Sequence, residues 1–393
     1  MPIAQLEDLI AGGVRGRRVL VRSDLNVPLR DGNVRDDSRI RASLPTLRKL
    51  LEARARVIVC SHLGRPGGNR SPEYSLRPVL DELRHSLGVP VHFSEECVGG
   101  QAQEAASKLA EGEVLLLENL RFHPGESAND PDFSQALAAL ADLYVNDAFG
   151  SAHRAHASTA GVPALLEARS AGCLLRSELD FLQQIREPRR PLVVILGGAK
   201  VSDKLAVLET LAPHADRLLI GGAMAYTFLA AEGLPTGESL VEAERVEDAR
   251  RVLQAAASHR REVLRPSDHL VVRSLEADAE PRVVGEIPAG WMAVDIGPET
   301  AERYAAAVAG ARTCFWNGPM GIFETPAYAK GTLRVARAMA ENDGTTVVGG
   351  GDSLAAIHQA GVGEQISHLS TGGGASLEYI QGAPLPGVVA LES

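Results

Sequence analysis

Aromatic residues are scarce, at 4% of 393 positions, and the four cysteines (Cys60, Cys97, Cys173 and Cys314) lie far apart with no Cys-x-x-Cys pair. That spacing excludes a disulfide scaffold and a zinc site, and predicts four structural thiols in a reducing compartment. No apolar run approaches the ~18 residues of a membrane span. The first thirteen residues lack the basic flank and apolar stretch of a secretory signal, so a cytoplasmic location is expected. Positive charge is in deficit, with a formal net charge of −10, which argues against nucleic-acid or anionic-membrane partners. There is no Gly-x-x-x-x-Gly-Lys-Ser/Thr loop, no Gly-x-Gly-x-x-Gly after a strand and no Gly-x-Ser-x-Gly elbow. Asp147-Ala148-Phe149-Gly150 has no partner of the protein-kinase catalytic-loop type. Lysine is the rarest charged residue, with five against 35 arginines. Genomic base composition is the simplest account of that skew. A lysine that persists under it still marks a position where an ammonium is wanted. Two of the five, Lys200 and Lys204, fall within Gly197–Lys204.

The length, at roughly 150 residues per domain, predicts two or three domains. Short β-branched or leucine-rich runs alternate with amphipathic stretches throughout. Strands are predicted at 18–22, 56–60, 114–118, 142–146, 192–196, 217–220, 269–273, 292–295, 313–316, 345–348 and 366–369. Helices are predicted at 44–55, 133–141, 174–185, 204–211 and 328–341. The alternation means βαβ units and parallel sheets covered on both faces. Eleven strands exceed one comfortable open sheet, so the expected fold is α/β with two doubly wound parallel-sheet domains. The predicted division is 1–170, an interdomain helix and hinge at 171–187, a second domain at 188–376, and a tail at 377–393. The sequence does not fix where that tail packs; a return to the N-terminal domain is one option.

Ligands of such sheets bind at the carboxyl ends of the strands, and the two halves differ there. The first half offers Arg22–Pro28, Ser61–Pro66, Glu118–His123 and Asn146–Gly150, with His153-Arg154-Ala155-His156 close behind. Arginines from several turns, aided by His62, suit a small carboxylate or phosphate ligand, and Asp24 and Asn26 suit its hydroxyls. Any single arginine reads more readily as solvated surface; four turns at one edge do not. The second half offers Gly197-Gly198-Ala199-Lys200, Gly221-Gly222-Ala223, Asn317-Gly318-Pro319-Met320-Gly321, Gly349–Ser353 and Thr371–Ser376. Glycine lets backbone amides approach phosphate oxygens, although tight turns require glycine anyway. Asp352 and Ser353 read either as caps of a helix beginning at Leu354 or as partners of a magnesium nucleotide.

Taken in order, these segments resemble the phosphoglycerate kinase family over essentially the whole chain. Val19–Pro28, Ser61–Pro66, Glu118–Phe122, Asn146–Gly150, His153–His156, Leu196–Lys200, Trp316–Pro319, Gly349–Asp352 and Ser370–Gly374 carry the resemblance. It implies two Rossmann-like domains facing each other across a cleft, and reversible phosphoryl transfer from 1,3-bisphosphoglycerate to MgADP, giving 3-phosphoglycerate and MgATP. It implies a 3-phosphoglycerate site of Asp24, Asn26, Arg39, His62, Arg65, Arg121 and Arg154. The implied nucleotide site comprises Gly198, Ala199, Lys204, Gly297, Asn317, Pro319, Glu324, Gly350, Gly351, Asp352 and Ser353. Glu324 would hold the ribose and Asp352 the Mg²⁺. Arg39, Lys204 and the amide of Gly373 would stabilise the migrating charge. A monomer is expected, with no nucleic-acid or membrane partner. Ser23, Leu25, Ala223 and Ser353 depart from the residues usual in the family. The competing readings are another ATP-dependent small-acid kinase of this architecture, a two-domain dehydrogenase and a non-catalytic sensor. The missing dinucleotide fingerprint opposes the second, and retention of Arg39 and Lys204 the third.

Overall fold

A computed structural model describes residues 3–276 and 280–392. The chain forms two units, Met1–Leu179 with Ala383–Ser393, and Asp180–Gly382. The boundary falls inside one continuous helix, Cys173–Arg186.

The first unit holds six parallel strands: β1 (Arg18–Ser23), β2 (Arg56–Cys60), β3 (Val91–Ser94), β4 (Val114–Leu117), β5 (Leu143–Asp147) and β6 (Arg169–Ala171), in the order β3-β4-β2-β1-β5-β6. Leu20 of β1 lies opposite Ile58 and Tyr144. All three are fully buried, as parallel strands with helices on both faces must be. The helix Ser38–Glu52 buries Ile40, Leu44, Leu47 and Leu50 at helical spacing. It starts six residues before the predicted Leu44, where the Asp36 side chain accepts the Ser38 amide. The tail packs on this unit: Asn146 Nδ2 donates to the Gly387 carbonyl at 3.0 Å and the Gly387 amide to Ala152.

The second unit holds β7 (Leu192–Leu196), β8 (Arg217–Ile220), β9 (Glu262–Leu264), β10 (His269–Val272), β11 (Arg282–Val284), β12 (Met292–Ile296), β13 (Thr313–Asn317), β14 (Thr345–Gly349) and β15 (His368–Ser370). Six form a parallel sheet in the order β9-β8-β7-β13-β14-β15. The predicted strands 269–273 and 292–295 do not join it. They pair antiparallel with each other in a separate three-stranded sheet, in which β10 is central and also pairs antiparallel with β11, as short connections without a crossover helix require. The edge strands β3, β6, β9 and β11 were not predicted, being short and partly polar. Aliphatic side chains build most of both cores. Both tryptophans lie in this unit, Trp316 fully buried and donating its indole N–H to the Gly318 carbonyl at 2.6 Å, Trp291 beside Arg273 and Arg282. Among the described residues no helix is long and apolar enough to cross a membrane.

Candidate active-site elements

In the first unit the turns after β1, β2, β4 and β5 enclose a cavity of about 250 Å³. Asn26, His62, Arg65, Arg121, His153, Arg154 and His156 line it, with Gly64, Gly150 and Ser151; among the described residues no carboxylate does. Two locks hold the turns. Asn119 Nδ2 donates to the carbonyls of Leu63 (2.7 Å) and Tyr74 (2.9 Å), while its Oδ1 accepts the amides of Leu63 and Arg121. The Gly64 amide donates to Asn26 Oδ1 at 2.8 Å, and Arg121 Nη1 donates to the Gly64 carbonyl at 2.6 Å. Gly64 sits at φ +60° with the Tyr74 ring where a Cβ would fall, 2.4 Å away, so no other residue fits this turn.

The cavity concentrates positive charge. Burial lowers the Arg121 pKa, and the charges of Arg22 and Arg65 lower it further. Burial likewise holds His156 down to about 4, with Arg121, Arg22 and Arg154 adding to it. An anionic ligand relieves the repulsion felt at both residues. Of the seven residues expected to bind the acid, five line the cavity. Asp24 and Arg39 instead form an ion pair with each other, Asp24 buried and Arg39 partly exposed. Sequence reasoning missed Arg22, Ser158 and Glu126, all fully buried behind the cavity. The available signal was an arginine closing the apolar run Val19-Leu20-Val21, since a buried guanidinium demands partners.

In the second unit the turns after β7, β8 and β13 are bonded to one another. The Gly197 amide donates to the Asn317 carbonyl, Gly198 to Pro319, Gly222 to Met320, and Met224 to Gly198. Four glycines are explained by this packing. A Cβ on Gly197 or Gly318 would meet backbone oxygen at 2.1 Å, one on Gly222 the Gly198 backbone at 2.5 Å, and one on Gly221 the Met320 sulfur at 2.3 Å. Gly198, Gly351 and Gly373 differ: a Cβ on any of them would meet nothing within 4 Å, which leaves room for a ligand atom beside the backbone. Ala223 has ordinary helical dihedrals, φ −63° and ψ −29°, so a third glycine is not needed there.

The helix Gly351–Ala360 begins three residues before the predicted Leu354, with Gly350 as N-cap, so neither Asp352 nor Ser353 caps it. The buried Ser353 hydroxyl accepts the Gly318 amide at 2.6 Å, and Asp352 stands exposed in the first helical turn. Asn317 donates Nδ2 to the Gly349 carbonyl at 2.7 Å; its buried Oδ1 has no hydrogen-bond partner among the described residues. Lys204 is half-buried. Burial lowers its pKa, against the opposing charges of Asp203 and Asp352. The loop leading to it is pinned by Glu242, which accepts the amides of Val201 (2.5 Å) and Ser202 (3.2 Å) and the Ser202 hydroxyl (2.6 Å). Sequence reasoning missed Glu242, 40 residues away. Ala199 and Glu324 are exposed, and Pro319 is buried. Gly297 has a packing explanation: a Cβ there would lie 2.2 Å from the Asp268 carboxylate, which accepts the amides of Glu299 and Thr300 at the start of the helix Pro298–Ala309. The described residues contain no group of three or more His, Cys, Asp or Glu able to hold a metal. A lone carboxylate such as Asp352 fits a magnesium ion delivered on nucleotide phosphates, since Mg²⁺ keeps most of its shell from phosphate and water.

The model of the family described as phosphoglycerate kinase matches residues 6–383. The chain is 55% identical over 381 residues to the phosphoglycerate kinase of Moorella thermoacetica, covering 96% of this chain and 97% of that one. It is 54% identical to the Salinispora tropica protein of the same name, over the full length of both. Among solved structures, phosphoglycerate kinase from Coxiella burnetii superposes with a TM-score of 0.90 at 38% identity, covering 99% of each chain. That from Pyrococcus horikoshii gives 0.85 at 33% identity, covering 98% of each.

Proposed function

The chain belongs to the phosphoglycerate kinase family, and from that premise we propose how its two sets of strand-end turns divide one reaction. The activity is reversible phosphoryl transfer between 1,3-bisphosphoglycerate and ADP, giving 3-phosphoglycerate and ATP. In our reading the first unit binds the acid and the second the nucleotide. The observation that carries this assignment is the lining of the first cavity, three arginines and three histidines without one carboxylate. Arg65, Arg121 and Arg154 take the phosphate and carboxylate oxygens by their planar forks, with His62 and Asn26 donating beside them. Asp24 holds Arg39 in place, and Arg39 meets the transferring group.

On the nucleotide side Gly198, Gly350, Gly351, Asn317, Pro319 and Ser353 shape the phosphate-binding turns; Ala199 and Gly297 complete the set we assign, and Glu324 takes the ribose. Mg²⁺, when bound with the nucleotide, neutralises phosphate charge, and Asp352 is the residue that would hold the complex. Phosphoryl transfer asks the protein for positioning and for cations around the migrating group. Lys204 supplies charge from the nucleotide side and the Gly373 amide a fixed dipole. No side-chain nucleophile is needed. In-line transfer requires donor and acceptor atoms within about 3–3.5 Å. We therefore assign residues 1–170 and 188–376 to the two ligands and 171–187 to the hinge on which they close, with the tail from Ala383 onward belonging to the acid-binding side. The working protein in this reading is a cytoplasmic monomer.

A coupled assay of ADP formation from MgATP and 3-phosphoglycerate tests the function. Turnover with 3-phosphoglycerate is expected. Its absence, with turnover of another small carboxylic acid, would establish the alternative kinase instead.

A further inference from the structure

Behind the acid cavity lies a charge that does not line it. Arg22 closes β1 with its side chain fully buried. Its Nε donates to Ser158 Oγ at 2.9 Å and Nη1 to the Ser23 carbonyl at 2.5 Å. Nη2 meets Ser151 Oγ at 3.3 Å and His62 Nδ1 at 2.9 Å. Ser158 passes the connection on: its hydroxyl donates to Glu126 Oε1 at 2.6 Å and its amide to Oε2 at 2.9 Å. Glu126 is also fully buried. A buried arginine and a buried glutamate thus face each other through one serine hydroxyl, which accepts from the first and donates to the second.

We infer that Arg22, held by Ser158 and Glu126, fixes His62 as its Nε2-protonated tautomer and so aims a neutral N–H donor into the acid cavity. The chemistry of the guanidinium forces the first step. It has five N–H donors and no acceptor, so at 2.9 Å the facing Nδ1 has to be the acceptor. A neutral ring then carries its hydrogen on Nε2, and His62 is one of the residues that line the cavity. Protonating Nδ1 would set two donors against each other next to a fixed cation. Burial above all, and then the charges of Arg22, Arg121, Arg39 and His156, oppose a second proton and hold His62 well below its ordinary range. The ring therefore contributes direction rather than charge, and the arginines at the cavity surface supply the charge. Glu126 is what permits Arg22 to be there at all, since a buried cation without a counter-charge is strongly unfavourable. Arg22, Ser158 and Glu126 are positioning residues in this scheme, acting on the ligand through His62.

Only the kinetic consequence rests on the acid-site assignment, and the test separates the two. In protein labelled with ¹⁵N-histidine, long-range ¹H–¹⁵N correlation spectra from pH 5.5 to 8 report each ring's tautomer, with His62→Gln identifying the signal. The expected result is an Nε2-protonated His62 that does not titrate in this range. In Arg22→Met the same signal should become a mixture of the two neutral tautomers, because Nδ1 loses the donor that fixes it as acceptor. Ser158→Ala deletes one hydroxyl and should move the spectrum in the same direction; it decides the matter if Arg22→Met does not fold. The KM for 3-phosphoglycerate should rise about tenfold in either variant, with kcat changed less than about threefold. A wild-type His62 protonated at Nδ1, or one that titrates within the range, overturns the inference. So does an unchanged His62 spectrum in a folded variant. The expected spectra with an unchanged KM would instead leave the tautomer standing and refute the acid-site assignment.

Discussion

The first sheet runs β3-β4-β2-β1-β5-β6 and the second β9-β8-β7-β13-β14-β15, so in each the chain order reverses between two central strands, β1 and β5 or β7 and β13. Such switch points open a crevice at the strands' carboxyl ends. Beyond the first lie Arg22, His62, Arg121 and Arg154; beyond the second lie Gly197, Gly198, Gly222, Gly318 and Gly350. One crevice is shaped by long side chains that neighbours must immobilise, which is why Asn119, Ser158 and Glu126 serve to hold others. The other is shaped by main chain brought so close that four glycines are required merely to let the turns touch. The lesson concerns how rigidity is obtained. A backbone site is rigid once its turns pack, whereas a side-chain site needs a supporting layer of buried polar residues.

The sharpest way to break this comparison is Lys204, the charged tool of a unit otherwise built from backbone. Lys204→Ala should lower turnover by about 10²-fold or more, about 2.7 kcal/mol of transition-state stabilisation, with ADP affinity changed little. Steady-state kinetics beside ADP calorimetry reads both, and a loss of turnover below about threefold would remove Lys204 from its role.

Next in size is Arg121→Ala, which should weaken 3-phosphoglycerate binding about 30-fold, roughly 2 kcal/mol, and leave ADP binding nearly unchanged. Calorimetry with each ligand decides it; equal losses for both would dissolve the division between units.

A smaller effect tests what the two units share. Asp147 in the first and Asp295 in the second are buried carboxyls, each pushed up to about 7 by burial against the hydrogen bonds they accept. Asp147 receives the amide of Leu174 at 2.8 Å, at the start of the helix Cys173–Arg186. Because the folded pKa lies above the unfolded value of about 3.9, stability falls as pH rises from about 4 to about 7 and the loss is complete above that. Between pH 6 and pH 8 the contribution of one such group is about 1.4 kcal/mol. Asp147→Asn keeps an acceptor for Leu174, so denaturation at the two pH values should show it gaining that amount on the wild type. No change in the difference would place the Asp147 pKa outside this window.

The smallest effect is expected from Ala223→Gly. With helical dihedrals at this position, glycine should shift ADP affinity less than about twofold and cost about 0.5–1 kcal/mol in stability. A marked gain in affinity would mean that the turn needs the closer approach that glycine allows.

How much of this was legible in the sequence depended on the physics involved. Central strands such as 56–60 and 192–196 declare themselves, because burial on both faces leaves an unbroken apolar run. The edge strand Glu262–Leu264 carries a charge and is partly exposed, so pattern alone does not separate it from a loop. Strands β10 and β12 were visible, but their antiparallel pairing with each other, and that of β10 with β11, depends on connection length rather than periodicity. At the acid cavity, surface arginines could be found from strand ends; the pairing of Arg39 with Asp24 and the support of Arg22 by Glu126 depend on distances no spacing encodes. At the nucleotide turns the glycines were legible while their reason was not. Gly222 and Gly318 serve turn-to-turn contact, whereas Gly198, Gly351 and Gly373 face open space.

The indole of Trp316, sealed against the Gly318 carbonyl, has an optical consequence. Both tryptophans, Trp291 and Trp316, belong to the second unit, and the first unit has none. Emission excited in the indole band is therefore blind to half of the molecule. A fluorescence melt follows the second unit alone, whereas the heat absorbed in a calorimeter sums both. Superimposable transitions from the two instruments would mean that the units unfold as one cooperative body, and an early calorimetric shoulder silent in fluorescence would identify the arginine-rich unit as the first to yield.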